Sequence, residues 1–349
     1  MERVVIQTEA PYEVLIGRGL LSELGERLLK VHQPCKVILI ADETVYALYG
    51  KRAEAALNNA GFSVSDFQFP AGEQSKNMDI CTRALCKMAQ AEITRSDLAV
   101  TLGGGVTGDL GGFAAAIYQR GLSFAQVPTT LLAAVDASVG GKTAVDLPEG
   151  KNLAGAFHQP VLVLCDTALL DTLPDDIYKQ GAAEIIKHGL LTNAAWLSKF
   201  AASPRANIDE IIRKNVKIKA SFVLHDEHDM GRRQMLNFGH TIGHALEKWC
   251  NYTLSHGEAV AIGLVAELRA ARKMSLGSVD ERMAHGYLSQ CGLKTECVCD
   301  IETVLALAMH DKKRHGERFN IIALTEDGPR IEALSMNDFK RFVTLGLQS

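Results

Sequence analysis

The run Gln234-Met235-Leu236-Asn237-Phe238-Gly239-His240-Thr241-Ile242-Gly243-His244-Ala245-Leu246-Glu247, followed by Ser255-His256-Gly257-Glu258, gathers imidazoles, an amide and carboxylates at spacings that suit a divalent metal or a proton-transfer site. Read as a helix, the run places His240 and His244 one turn apart on the same face. His256 then comes from the next element. Two histidines at this spacing are also common as a partly exposed polar stripe, so the neighbours decide. Lys219, Arg233 and Asn237 precede the pair, while Gly239 and Gly243 flank His240 and leave room for a substrate or a second layer of protein. On spacing alone, a metal here would take His240 with His244.

Such a site needs a scaffold, and the chain changes character near residue 170. Before that point the β-branched apolar runs 37–41, 98–102 and 161–165 alternate with helical patterns at 53–60 and 78–91, and glycine-rich turns follow the runs. Strand, turn and helix in alternation imply a parallel sheet with nucleotide-type sites at its carboxyl ends. Beyond Thr172-Leu173-Pro174 the pattern is almost wholly helical, through 181–191, 209–224, 235–250 and 257–274. The expected architecture is α/β: a Rossmann-like parallel-sheet domain over 1–172, an all-helical domain over 173–349, and the site between them.

The first domain carries candidate phosphate chemistry. Ala99-Val100-Thr101-Leu102 leads into Gly103-Gly104-Gly105-Val106-Thr107-Gly108-Asp109, a strand entering a glycine-rich turn and then a helix. Glycines let backbone approach a pyrophosphate, and a helix N-terminus offers free N–H groups to the anion. The cluster is not the usual dinucleotide fingerprint, and three glycines also make plain tight turns. Asp42 stands where an acid accepts ribose hydroxyls, or equally where one caps a helix. Gly72-Glu73-Gln74-Ser75-Lys76 adds an acid and a lysine, or is a surface turn. Further on, residues 126–146 and Gly150-Lys151-Asn152 set hydroxyls, glycines, Asp136, Lys142 and Lys151 in an otherwise apolar segment, where burial is costly unless the groups are paired. Gly140-Gly141-Lys142-Thr143 lacks the full G-x-x-x-x-G-K-[ST] spacing of a P-loop, which excludes a nucleoside-triphosphatase of that kind.

Composition narrows the class. The 349 residues are 47% hydrophobic and 22% charged, ordinary for a soluble globular enzyme, and a small-molecule substrate is expected. A net charge of -4 gives no basic footprint for nucleic acid, and the apolar runs are too short to span a bilayer. The start Met1-Glu2-Arg3-Val4-Val5-Ile6 lacks secretory regions, so a cytoplasmic location is expected. The eight cysteines are scattered without a C-x-x-C pair. Cys297 and Cys299 could bind a soft metal, but read better as small packing residues in a reducing compartment.

Residues 126–152, Gly181-Ala182-Ala183-Glu184-Ile185-Ile186-Lys187, Leu236-Asn237-Phe238-Gly239-His240-Thr241-Ile242-Gly243-His244-Ala245 and Asp311-Lys312-Lys313 together resemble the 3-dehydroquinate synthase family of the shikimate pathway, in order and over nearly the whole chain. The resemblance implies a dehydroquinate synthase-like fold and a lyase, dependent on NAD and one divalent metal (zinc or cobalt). Its reaction turns 3-deoxy-D-arabino-heptulosonate 7-phosphate into 3-dehydroquinate and phosphate. It also implies that the departing phosphate takes the proton. It makes Glu184, His240 and His256 the metal ligands, which differs from the pair chosen by spacing and leaves His244 for substrate or proton transfer. It assigns NAD contacts to Asp42, Glu73, Lys76, Gly105, Val106, Thr107, Gly108, Asp109, Thr129, Thr130, Lys151 and Thr172. It places Asp136, Lys142, Lys187, Asn237 and His244 at the reacting centre. Lys219 and Arg233 would hold a substrate carboxylate, and Lys142, Asn152 and Lys312 its phosphate. Family homodimers add an arginine from the neighbouring subunit, here Arg120.

Departures from the family pattern are few. Asp229 closes the acidic run Asp226-Glu227-His228-Asp229 where a glutamate is usual, Ala71 stands where an aspartate is common, and Arg232 replaces an apolar residue. Three other readings remain: another sugar phosphate cyclase, whose substrate would lack the carboxylate; an iron-type glycerol or alcohol dehydrogenase, which would release NADH; and a non-catalytic NAD-binding protein.

Overall fold

The computed structural model describes residues 1–312 and 318–348, with no side-chain detail for 310–312. It divides into two compact units, Met1–Pro174 with Asn207–His228, and Asp175–Ala206 with Asp229–Ser349.

The first unit is built on a seven-stranded sheet. Its strands are β1 (Glu2–Ile6), β2 (Tyr12–Gly17), β3 (Lys36–Asp42), β4 (Ser63–Phe69), β5 (Leu98–Gly103), β6 (Ser123–Pro128) and β9 (Leu162–Asp166), while β7 (Lys142–Leu147) and β8 (Gly150–Phe157) form a separate hairpin. The sheet order is β1-β2-β9-β6-β5-β3-β4, parallel except for β1 against β2. The central strands read as continuous apolar runs because both faces are covered. In β3, Val37, Leu39 and Ala41 enter one core layer with Leu24, Ala53 and Leu57, while Ile38 and Ile40 enter the other with Ile80, Ala84, Leu110 and Ala114.

The order reverses beside β3. The chain runs outward from β3 to β4, then returns to place β5 and β6 on the other side of β3. Helices leaving neighbouring strands at such a reversal part to opposite faces, opening a crevice at the carboxyl ends. Asp42 ends β3 and Gly103 ends β5, so both stand at that edge.

Two expectations about layout differ from the structure. Helix Ile208–His225, expected in the second domain, belongs to the first unit, where it packs on β1, β2 and the turn Ala133–Ala137. Ile212, Val216, Phe222 and Val223 give it a buried apolar stripe, and nothing local in that stripe specifies which unit covers it. Residues 126–152 are β6, a turn and the β7–β8 hairpin, all within the first unit. The pattern over 235–250 is not one helix. Arg232–Asn237 is a short 3₁₀ turn, Gly239 adopts φ 79°, and the α-helix begins at His240. Left-handed backbone there is accessible to glycine at little cost.

The second unit is helical, through Gln180–Thr192, His240–Trp249, His256–Lys273, Glu281–Gln290, Ile301–Lys312 and Met336–Leu347, with one antiparallel hairpin of β10 (Phe319–Thr325) and β11 (Gly328–Leu334). Its core joins Ile242, Leu246, Ile262, Ala266, Val304, Phe319, Ile321, Phe339 and Phe342. Among the described residues no helix is long and apolar enough to cross a membrane.

Candidate active site

Two helices bring the three histidines together. His240 opens His240–Trp249, and His256 opens His256–Lys273 after a reversal in which Asn251 and Tyr252 both take positive φ. The helices cross at glycine. A Cβ on Gly263 would stand 1.9 Å from the Gly239 carbonyl oxygen, and one on Gly243 would stand 2.9 Å from that of Ala259. The small residues beside His240 therefore admit a second layer of protein. Glu267, fully buried on the later helix, fastens the crossing: its carboxylate accepts from Gly239 N at 3.0 Å and from Ile242 N at 3.4 Å. Gly263→Ala is expected to force this crossing apart at a cost of about 1–3 kcal/mol, the range for overpacking. Thermal unfolding would show it, and an unchanged melting temperature would mean that the close approach is not needed.

Helix Gln180–Thr192 adds Glu184 and Lys187, each about 1% exposed. Glu184 Oε1 lies 3.5 Å from His240 Nε2 and 3.7 Å from His256 Nε2, while Lys187 Nζ pairs with Oε2. The outer nitrogens are also engaged. His240 Nδ1 meets the Phe238 carbonyl at 3.1 Å, and His256 Nδ1 faces Glu247 Oε1 at 3.4 Å. Ligands around a tetrahedral metal, bound at about 2.0–2.1 Å, stand roughly 3.4 Å apart. Glu184 stands near that spacing from both histidines, and metal-binding histidines characteristically have the far ring nitrogen held by a carbonyl or carboxylate. The donor set fits a catalytic divalent ion.

The surroundings act in opposite directions on the two histidines. Burial, reinforced by Lys187, holds His240 well below the ordinary histidine range, leaving it neutral as a ligand must be. Burial also opposes charge on His256, but its hydrogen bonds to Glu184 and Glu247 prevail and push it up to about 9. His244 completes the cluster, its ring centroid 5.2 Å from His240 and 6.0 Å from His256. His244, Glu247 and His256 form a second set with ligand atoms within 4.8 Å, and neither this set nor the first pairs His240 with His244.

In the first unit, helix Gly105–Ile117 follows β5 directly and has no side-chain cap, whereas Asp42, Asn77 and Asp166 cap the helical segments that follow them. Its N–H groups at Gly105, Val106 and Thr107 are thus not taken by a side chain. The later glycines have another use: a Cβ on Gly108 would meet Gln126 Oε1 at 2.7 Å, and one on Gly111 would meet Thr101 Cγ2 at 2.4 Å, so they let helix and sheet touch. An uncapped helix N-terminus beside an acidic strand end at a sheet reversal fits a dinucleotide.

Charged residues from separate segments converge there. Lys76 Nζ bonds Asp109 Oδ2 at 2.5 Å and Asn152 Oδ1 at 2.6 Å, and Lys151 Nζ lies 3.2 Å from Glu73 Oε1. Asp146, missed in the sequence, accepts from Asn152 N at 2.8 Å. Burial works against the Lys76 charge, but Asp109 and Glu73 outweigh it and hold the ammonium above its usual range. Burial raises Asp109 in turn, with Lys76 opposing.

The remaining candidates are placed as follows. Asp42 caps the next turn through Val45 N at 3.0 Å. Thr129 is buried, Thr130 Oγ1 accepts from Ala133 N at 3.2 Å, and Thr172 is hydrogen-bonded to the Tyr49 hydroxyl. Lys219 is buried with its ammonium on Asp136, 2.7 Å from the carbonyl oxygen and 2.9 Å from Oδ1. Among the described residues Arg233 is the largest fully buried side chain, and Asn237 closes the same 3₁₀ turn. Lys142 is exposed at the start of β7. Arg120 is exposed at the end of the turn Tyr118–Arg120, where Gln119 and Arg120 both have positive φ. The Lys312 side chain and Lys313 lie outside the described residues.

Comparison with known proteins places this arrangement. The fold is that of the dehydroquinate synthase-like sugar phosphate cyclases. A structure of 2-deoxy-scyllo-inosose synthase complexed with carbaglucose-6-phosphate, NAD+ and Co2+ superposes with a TM-score of 0.89 at 25% identity, covering 98% of this chain and 99% of that one. A 2-epi-5-epi-valiolone synthase from Streptomyces hygroscopicus gives 0.86 at 24% identity, covering 99% and 98%. The glycerol dehydrogenase of Schizosaccharomyces pombe shares the fold more distantly, with a TM-score of 0.66 at 15% identity over 95% of this chain and 87% of that one.

The chain belongs to the 3-dehydroquinate synthase family: the family's N-terminal model matches residues 66–180 and its C-terminal model residues 181–314. The 3-dehydroquinate synthase of Nitrobacter hamburgensis is 41% identical over 92% of this chain and 88% of its own length, and that of Streptococcus gordonii is 40% identical over 95% and 97%.

Proposed function

We propose that this chain converts 3-deoxy-D-arabino-heptulosonate 7-phosphate into 3-dehydroquinate and phosphate, using NAD catalytically and one divalent metal, zinc or cobalt. The observation that carries this reading is the Glu184 carboxylate facing Nε2 of both His240 and His256 in a chain of this family. When bound, NAD supplies an acceptor that takes and returns one hydride, and the metal polarises the reacting oxygen.

The chain's own residues bind, orient and balance charge. The helix N-terminus at Gly105 to Thr107 would take the pyrophosphate of NAD, and Asp42, Glu73, Lys76, Asp109, Thr129, Thr130, Lys151 and Thr172 would hold the cofactor. Glu184, His240 and His256 hold the metal. Lys142, Asn152 and Lys312 bind the substrate phosphate, Arg233 and Lys219 its carboxylate, and Lys187 and Asn237 the hydroxyls that react. Oxidising a secondary alcohol to a ketone acidifies the neighbouring C–H, so the departing phosphate can take that proton as it leaves by elimination. His244 carries protons during ring opening and closure. Holding the substrate in one orientation then favours the internal aldol closure over reaction with water.

In a mixture of the enzyme, NAD, metal and the heptulosonate phosphate, free phosphate should rise with turnover while absorbance from NADH stays flat. Stoichiometric NADH would assign the chain to the dehydrogenases that share its fold.

The enzyme is further proposed to work in the cytoplasm as a homodimer, with exposed Arg120 reaching the partner's substrate. Arg120→Ala should then raise the substrate KM while sedimentation shows a dimer. A monomer with full activity would remove this role.

A further inference from the structure

Glu247 has no task in the scheme above, yet it is about 1% exposed, and a carboxylate kept from water is costly unless cations or donors compensate it. It sits in the last turn of His240–Trp249, three residues beyond His244. The chain reverses immediately after it. Tyr252 N bonds the Glu247 carbonyl at 2.8 Å, Asn251 and Tyr252 take φ of 48° and 60°, and Ser255 then caps the next helix through Glu258 N at 3.4 Å. This tight return puts His256 beside Glu247, with Nδ1 3.4 Å from Oε1, while Nε2 of the same ring looks toward Glu184 at 3.7 Å. Carboxylate, imidazole and the proposed metal position thus follow one another. His240, by contrast, has its Nδ1 held by the neutral Phe238 carbonyl.

We infer that Glu247 is a positioning residue for the metal centre: its carboxylate receives the Nδ1 hydrogen of His256, fixing the tautomer and the ring angle so that the Nε2 lone pair points at the ion. The inference rests on the metal reading given above. A carboxylate behind a ligand imidazole also makes that imidazole the more electron-rich donor, so His256 is the stronger of the two histidine ligands. Glu247 stays off the metal in this assignment, because His256 cannot present Nε2 to the Glu184 set and Nδ1 to Glu247 on the same ion.

The test uses the full-length protein stripped with a chelator and titrated with Co2+, read by its visible absorption and by competition with a chromophoric chelator. Glu247→Gln keeps an acceptor and loses the charge. It should weaken Co2+ binding about tenfold, and Glu247→Ala by up to roughly 100-fold, the range for outer partners of a metal ligand. The Co2+ spectrum of Glu247→Ala should also shift as the freed ring turns. Glutamine is close in shape to glutamate, so Glu247→Gln decides the matter if the alanine variant does not fold. His256→Ala separates the two levels of the argument. If His256→Ala binds Co2+ like the wild type, the metal reading itself fails. If His256→Ala loses Co2+ while both Glu247 variants bind it within twofold of the wild type and with its spectrum, only the positioning role fails. A loss in Glu247→Ala as complete as in His256→Ala would make Glu247 a ligand and equally overturn that role.

Discussion

His256→Ala is expected to lose bound metal and turnover together. Three protein ligands with open positions are the usual minimum for a catalytic ion, and His256 is one of the two imidazoles that face Glu184. Removing the ion forfeits several kcal/mol of charge stabilisation in the transition state, and about 4 kcal/mol is a thousandfold in rate. His244→Ala is expected to behave differently, keeping the metal and losing about 10²–10⁴-fold in kcat through its proton-transfer role. Metal analysis of the two purified variants beside their kinetics makes the comparison. The reverse pattern, with metal lost from His244→Ala and kept by His256→Ala, would favour the ligand pair that helical spacing alone suggests.

Arg233→Ala is expected to weaken binding of the carboxylate-bearing substrate by about 2–5 kcal/mol, or roughly 30- to 5,000-fold. The guanidinium is about 1% exposed, and its planar fork suits a carboxylate in a way an ammonium does not. Lys219, the other cation assigned to that group, already has its ammonium on Asp136, so Arg233 should carry the larger share. Arg233→Lys should therefore recover only part of the loss. NAD affinity should be nearly unchanged, because the proposed cofactor residues belong to the other unit. Substrate titration of each variant, repeated with a sugar phosphate lacking the carboxylate, supplies the check. Unaltered binding in Arg233→Ala, or equal turnover of the two substrates by the wild type, would remove the reason for preferring dehydroquinate formation over the other cyclisations.

What could be read in the sequence follows from how local the determining physics is. Strands β3, β5 and β9 were legible as apolar runs because a sheet covered on both faces tolerates little else. The β10–β11 hairpin was not. Ile321, Ile322, Ala323 and Leu324 are all buried and resemble a core helix segment, although Asp327-Gly328 is a hairpin-turn signal. Helix Ile208–His225 was visible as a helix but not as part of the first unit, since amphipathicity specifies a buried face and not the surface that buries it.

The site was legible in the same uneven way. His240 and His244 stand out by spacing, whereas Glu184 lies on another helix and only the family resemblance pointed to it. The cluster Glu73, Lys76, Asp109, Lys151 and Asn152 draws on several separate segments, and no single segment announces the convergence. Glu247 closes the histidine run but gains no separate role from spacing, and Glu267 gains none either. For Glu267 a signal existed: it interrupts the apolar run Ala261-Ile262-Gly263-Leu264-Val265-Ala266-Glu267-Leu268, where a carboxylate must find donors.

The central claim is that one hydride leaves the substrate for NAD and returns to it within a single turnover. The direct measurement uses substrate deuterated at the secondary alcohol carbon, with the product analysed by mass after complete phosphate release. Transient oxidation with internal return requires the deuterium to be recovered in the carbocyclic product and the NAD pool to stay unlabelled. Deuterium accumulating in NADH or lost to water, with phosphate still released, would contradict it.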